Sequence, residues 1–281
     1  MPTILHYPSV LTVAGFDGSG GAGIQGDMKA ISALGCYATS VLTALQVQNT
    51  QGVRRIYSIP AQAVAEQLAA ILEDVLPDAI KIGMVHTPEL VHTIVAALAA
   101  YPTLPVIFDP VMVATSGHRL IEEATIQAIT EHLLPRAELL TPNLDEAAIL
   151  AGMAIPDVAA MREAGRRIIA LGCRGLLLKG GHLPTAQLTS LFFAADGQVH
   201  AYEFEKLDTC NTHGSGCTLS SAVASYRALG YPLLEAVGLG QAYVHAAIAA
   251  GQAVRTGHGN GPLNHFFHPQ SLVPREQQVV N

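Results

Sequence analysis

Short apolar runs recur along these 281 residues, most ending in glycine or a polar side chain, and segments of helical period lie between them. No other feature constrains the fold as tightly. A strand that is apolar throughout must be covered on both faces, and the helical segments are spaced to do it. Residues 10–15, 38–47, 79–84, 105–110, 137–141 and 175–179 read as strands. The first helix runs through Ile24, Met28, Ile31 and Leu34 with Gly35 as its stop. Others are predicted at 61–76, 88–100 and 121–133, in two segments reaching Leu171, and at 217–229 and 233–254. Residues 188–195 and 198–205, around Asp196-Gly197, carry the one clear hairpin signal. The expectation is an α/β fold, a mostly parallel central sheet with helices on both faces. It forms a single domain over residues 1–281, with a core at about 10–268 and a loose tail at 269–281.

Composition narrows the function. Half the residues are apolar, 13% are charged and the net charge is −7, with no basic cluster, so a general nucleic-acid surface is excluded. The start lacks the basic region and apolar core of a signal peptide, and no uninterrupted apolar run reaches the roughly 18 residues of a membrane span. Cys36, Cys173, Cys210 and Cys217 show no C-x-x-C or zinc spacing. A cytoplasmic protein with free thiols is expected, acting on a small molecule, with neither nucleic acid nor membrane as partner.

In a sheet of this kind ligands bind beyond the carboxyl ends of the strands. Asp17, Gln48, Met84, Asp109, Asn143, Glu146 and Lys179 fall at such ends, and Cys217 follows a late glycine-rich stretch. In Asn211-Thr212-His213-Gly214-Ser215-Gly216-Cys217, glycines lead into a helix, whose unpaired N–H groups and dipole suit a phosphate. The backbone of Gly214, Ser215 and Gly216 would form an anion hole, and Cys217, in the first turn, would be favoured as a thiolate.

The early loop, Gly18-Ser19-Gly20-Gly21-Ala22-Gly23, matches G-x-G-x-x-G, but a dinucleotide site also needs an acidic residue about 20 positions on. No Asp or Glu lies between Asp27 and Glu66, and the P-loop pattern is absent. Two glycine loops of different design suit two ligands that meet, the early one closing over a small substrate and the late one holding transferring phosphates. Gln48, at a strand end, can donate to a ring nitrogen and accept from an exocyclic amine. Asn143 and Glu146 also read as a helix N-cap and its partner.

The stretch from Ala14 through Asp17 to Gln25, Gln48-Asn49-Thr50, Lys81-Ile82-Gly83-Met84, Thr141 to Ala147, Lys179 to His182, Asn211 to Ser220, and the late Gly257-His258-Gly259 and Gly261 to Phe266 together resemble the hydroxymethylpyrimidine/phosphomethylpyrimidine kinases of thiamine synthesis, within the ribokinase-like superfamily. Phe16, Gly18 and Ser215 depart from the usual residues of those loops. The resemblance implies ATP and Mg²⁺, and a homodimer. It implies Gln48, Met84, Ala22, Val111 and Asp17 on the substrate side, and Lys179, Asn143, Thr212 and His213 on the nucleotide side. Glu146 and Asp109 would position Mg²⁺ through water, and Cys217 would stand as the base. A pyridoxal kinase on the same scaffold and a non-catalytic pyrimidine or nucleotide binder are the other readings.

Overall fold

In the computed structural model of the chain, residues 5–112, 121–181, 183 and 187–276 are described; His182 and the end of the expected tail, 277–281, lie outside them. The elements are β1 (Leu5–His6), β2 (Ser9–Asp17), α1 (Gly23–Ala33), β3 (Tyr37–Asn49), β4 (Gly52–Ser58), α2 (Ala61–Asp74), β5 (Ala79–Ile82), α3 (Pro88–Leu98) and β6 (Val106–Phe108). They continue with α4 (Glu123–Ala128), β7 (Leu139–Leu140), α5 (Leu144–Ala151), α6 (Val158–Ile169), β8 (Leu176–Leu178), β9 (Gln187–Phe193), β10 (Val199–Glu205), α7 (Ser215–Ala228), α8 (Leu233–Gly251) and β11 (Arg275–Glu276). The helix expected at 121–133 is α4 followed by a π turn, Ile129–Leu133, and a 3₁₀ turn, Leu134–Arg136.

Nine strands form one sheet in the order β10-β9-β8-β7-β6-β5-β2-β3-β4, parallel from β8 to β3. Its strands divide their side chains between two layers, as a two-residue period requires. Leu11, Ile80, Phe108, Leu140, Leu176 and Leu178 face the layer containing α2, α3, α5 and α6. Val10, Ala79, Ile107, Leu139 and Leu177 face the opposite layer, built by α1, α7 and α8. The continuous apolar runs are thus explained by burial on both faces. Helix α8 is long and apolar enough to cross a membrane by length and composition; here Ala236, Val237, Tyr243 and Val244 pack into that second layer.

Three expectations change. The 188–205 hairpin is present, but β3 and β4 form a second antiparallel pair, and β8 with β9 a third. Strand β4 lies at the sheet edge with few buried side chains, so no apolar run marked it. Part of the tail is held: β11 pairs with β1, and the Gln270 N–H donates to the Ala33 carbonyl at 2.8 Å.

One polar group is sealed between sheet and helices. Lys81 on β5 and Asp27 on α1 form an ion pair of 2.8 Å with both side chains 0% exposed. Asp27 also accepts from Thr12 of β2 at 2.6 Å and Ser221 of α7 at 2.8 Å. Burial alone would drive the Lys81 ammonium towards its neutral form, but the Asp27 carboxylate, with Cys217 and Asp109 nearby, holds it above the ordinary lysine range. Removing one member of such a pair strands a buried charge. Lys81→Met is expected to lower unfolding free energy by about 3–5 kcal/mol in urea titrations; a loss under ~1 kcal/mol would show that the pair is not a structural tie.

Candidate active site

The early glycine loop joins β2 to α1, and Asp17 holds it. The Asp17 carboxylate accepts from Ser19 N at 2.9 Å, Ser19 Oγ at 2.7 Å, Gly21 N at 3.2 Å and Ala22 N at 2.8 Å. It also pairs with His213 Nε2 of the late loop at 2.8 Å. Burial opposes the charge, but the bonds from His213, Ser19 and Ala22 outweigh it and hold the carboxyl well below the usual carboxylate range. Asp17 was expected on the substrate side. It is instead fully buried beneath the loop and absent from the cavity wall, where its acceptors are used to fold the turn.

The late loop locks into the early one. Gly214 has φ +83°, and a Cβ there would overlap the Gly21 carbonyl, so only glycine fits on both grounds. Helix α7 starts at Ser215 with no side chain capping it. The Ser215 N–H is occupied by the Thr212 carbonyl at 3.1 Å, and neither Ser215 nor Thr212 lines the cavity. Both take part in closing the turn. Gly214, Gly216 and Cys217 do line it.

A charged group faces this helix start. A Cβ on Gly216 would lie 3.2 Å from Lys179 Nζ and 3.5 Å from Asp109 Oδ2. Lys179 and Asp109 pair at 2.8 Å, and Thr141 donates to the same Asp109 oxygen at 3.1 Å. Asn143 and Glu146 do form the capping box of α5: Glu146 N–H donates to Asn143 Oδ1 at 2.9 Å and Asn143 N–H to Glu146 Oε2 at 2.8 Å. Burial, aided by Asp109 and opposed by Lys179, pushes the Glu146 carboxyl up to about 7. Among the described residues no group of three or more His, Cys, Asp or Glu side chains is set to hold a metal directly. Both Glu146 oxygens accept backbone N–H groups, the second from Met112 at 3.3 Å, while Asp109 Oδ2 has no described partner. Two carboxylates, with one oxygen unpartnered among the described residues, fit a hydrated hard cation better than an all-protein cage.

One cavity of about 240 Å³ joins these parts, lined by Ala22, Gln48, Met84, Asp109, Val111, Asn143, Glu146, Lys179, His213, Gly214, Gly216 and Cys217. It opens at the carboxyl ends of β2, β3, β5 and β6, on either side of β2, where the strand order reverses. Sequence reasoning missed Gln46, which shares Gln48's face of β3 and puts its Nε2 3.0 Å from Met84 Sδ. A two-residue step back from Gln48 would have found it. It also missed Lys81 at the floor and Asn260 near the β3–β4 turn, where Asn260 N–H donates to the Thr50 carbonyl at 2.9 Å. No local pattern joins that turn to the late loop.

The thiolate expectation for Cys217 is corrected. Burial pushes the thiol up to about 11, and neither Lys81 nor the Gly23 N–H, both of which favour the charge, reverses this.

Comparison with known proteins follows the same residues. A family model described as phosphomethylpyrimidine kinase matches residues 17–264. The chain is 45% identical over 257 residues to the hydroxymethylpyrimidine/phosphomethylpyrimidine kinase of Rhizobium meliloti, covering 91% of this chain and 96% of that one. It is 45% identical over 268 residues to the thiamine biosynthesis bifunctional protein ThiED of Geobacter sulfurreducens, covering 95% of this chain and only 54% of that protein. The chain therefore spans about half the length of that bifunctional relative. Among solved structures, phosphomethylpyrimidine kinase from Clostridium difficile superimposes with TM-score 0.76 at 39% identity, covering 85% of this chain and 99% of that one. Bacillus subtilis pyridoxal kinase in an ADP complex does so with TM-score 0.86 at 32% identity, covering 92% and 98%. The fold is ribokinase-like.

Two measurements check this geometry. In a Cys210→Ser background, which removes the exposed cysteine, alkylation of Cys217 should be slow at neutral pH and accelerate towards about pH 11; fast modification at pH 7 would contradict the burial argument. Gly214→Ala should push the two loops apart and weaken nucleotide binding by at least about tenfold, roughly 1.4 kcal/mol, in calorimetric titration. Unchanged affinity would mean the interlock is not needed to shape the anion site.

Proposed function

This chain belongs to the phosphomethylpyrimidine kinase family, and from that membership we propose that it uses MgATP to phosphorylate the hydroxymethyl group of 4-amino-5-hydroxymethyl-2-methylpyrimidine. It then phosphorylates the monophosphate to the pyrophosphate, the pyrimidine precursor of thiamine. The observation that carries this reading is that a single cavity holds both Gln48 and the open start of α7.

In this reading Gln48 orients the ring by donating to a ring nitrogen and accepting from the exocyclic amine, with Met84, Ala22 and Val111 packing its faces. The hydroxymethyl group then lies towards Cys217. Backbone N–H groups of Gly214 and Gly216 and the Lys179 ammonium stabilise charge on the transferring phosphoryl oxygens, the largest share of catalysis in such a reaction. Asp109 and Glu146 would hold the hydration shell of a Mg²⁺ ion, which when bound would neutralise charge on the nucleotide phosphates. Asn143 keeps the Glu146 carboxyl in place through the capping box. The protein works in the cytoplasm as a homodimer, the state the family resemblance implies.

Pyridoxal phosphorylation is the second reading, favoured by the superposition on pyridoxal kinase. Gln48 decides between them, because pyridoxal lacks the exocyclic amine. With purified protein and MgATP, kcat/KM for the aminopyrimidine alcohol should exceed that for pyridoxal. Gln48→Leu should lower the former by about 10–100-fold, the loss of two hydrogen bonds worth ~1 kcal/mol each plus some misorientation. A preference for pyridoxal, or indifference to Gln48→Leu, would sink the assignment.

A further inference from the structure

Met84, which the kinase reading sets against the pyrimidine ring, is held at both ends by one strand. Its backbone carbonyl accepts the Thr43 hydroxyl at 2.7 Å, and its sulfur accepts Gln46 Nε2 at 3.0 Å. Both donors lie on β3. The Met84 side chain is buried, and it lines the cavity together with Gly15, Gln46 and Gln48. Gly15 brings these parts together. The pairing of β2 with β3 shifts by one residue between Ala14 and Gly15, so Gly15 pairs with Ala44 and shares a face of the sheet with Gln46. A Cβ on Gly15 would lie 3.3 Å from Met84 Cε and 3.5 Å from Gln46 Cδ, so the methionine methyl and the amide carbon both pack over the bare Cα.

Methionine by itself makes a yielding wall. Its three torsions and soft sulfur let it fill irregular gaps and re-pack around different ligands, which is why methionine-rich surfaces bind several partners. A thioether is a weak acceptor, and an apolar neighbour would leave it unengaged. Here an amide engages it, the methyl rests over a glycine, and the backbone behind it is tied to Thr43. Little freedom is left to the side chain. The strand gives no reason for a glutamine at this position, since β-branched or aromatic residues suit a strand interior better. The amide is explained by what it does to Met84.

We propose that Gln46 is a specificity-determining residue of this pocket: by clamping Met84 over Gly15 it turns a yielding wall into a fixed one, and so limits the bulk of the ring that can be phosphorylated. The inference rests on the kinase reading above. Gln46 acts through Met84, as a positioning residue, and takes no part in phosphoryl transfer. The substrates it favours are aminopyrimidine alcohols with small ring substituents. Enlarged homologues are excluded because the wall cannot move aside for them.

Alcohols enlarged at either ring carbon that bears neither the amine nor the hydroxymethyl group probe the wall: ethyl or propyl in place of the 2-methyl group, and methyl at carbon 6. Wild-type protein should use them at least about tenfold less efficiently in kcat/KM than the 2-methyl compound, a discrimination that one added methylene in a fixed apolar pocket can give. Gln46→Ala, which removes both clamp and bulk, should bring at least one series to within about threefold of it. Gln46→Leu keeps the bulk and loses the donor, and should relax selectivity in the same direction. In both variants KM for the 2-methyl alcohol should rise more than kcat falls, with KM for MgATP unchanged. Wild-type tolerance of the enlarged compounds, selectivity unchanged in both variants, or an equal rise in KM for MgATP would overturn the role of Gln46 and leave the kinase reading intact. A wild-type protein that phosphorylates none of the alcohols would overturn that reading instead. Independently of turnover, the ε-methyl ¹³C resonance of Met84, assigned among the six methionines through Met84→Leu, should show a single rotamer in the wild type and move towards the rotationally averaged position in Gln46→Leu. A resonance already averaged in the wild type would exclude the clamp.

Discussion

The approach of the Gly21 carbonyl onto the Cα of Gly214 is the contact on which the site depends. Two loops nearly two hundred residues apart meet there at a separation that no Cβ would permit. Each then presents its own chemistry to a shared cavity. The close approach is secured from below by the Asp17 carboxylate, which binds three N–H groups and a hydroxyl of its own turn and one ring nitrogen from the other loop. A carboxylate with this many donors stays ionised at any physiological pH.

The charges about the cavity show how the fold assigns different work to similar residues. Lys81 and Lys179 both sit with a carboxylate 2.8 Å away. In the first pair Thr12 and Ser221 complete the shell around Asp27 and tie β5 to α1 and α7, while Lys81 also reaches the cavity floor. The second opens towards Gly216 and keeps an Asp109 oxygen that has no partner among the described residues. Helix dipole and burial compete at Cys217. Burial outweighs the dipole and raises the thiol, although Cys217 stays half-buried at the cavity wall.

Much of this was legible in the chain. Strand and helix alternation led to the sheet, and the polar residues ending its strands led to Gln48, Met84, Asp109, Asn143, Glu146 and Lys179, all of which line the one cavity. Asp17, Ser215 and Thr212 were placed in a ligand-facing role because they lie in the right loops. A loop's sequence does not reveal which of its polar groups are consumed in closing its own turn. Strand β4 was missed because an edge strand need not be apolar, and Gln46 because the search stopped at the last polar residue of β3.

What the sequence determined by itself was the layering and the inventory: apolar period sets which residues are buried, and glycine and polar positions mark where the chain turns and what chemistry those turns carry. These are local properties, readable within a dozen residues. The tertiary structure alone decided that His213 of the late loop meets the Asp17 carboxylate of the early one, that burial raises the Cys217 thiol, and that Lys81 and Lys179, each paired to a carboxylate, both reach the cavity wall. Each of those depends on a partner or a loss of solvent brought from a distant part of the chain, and neither leaves a mark in the local order of residues.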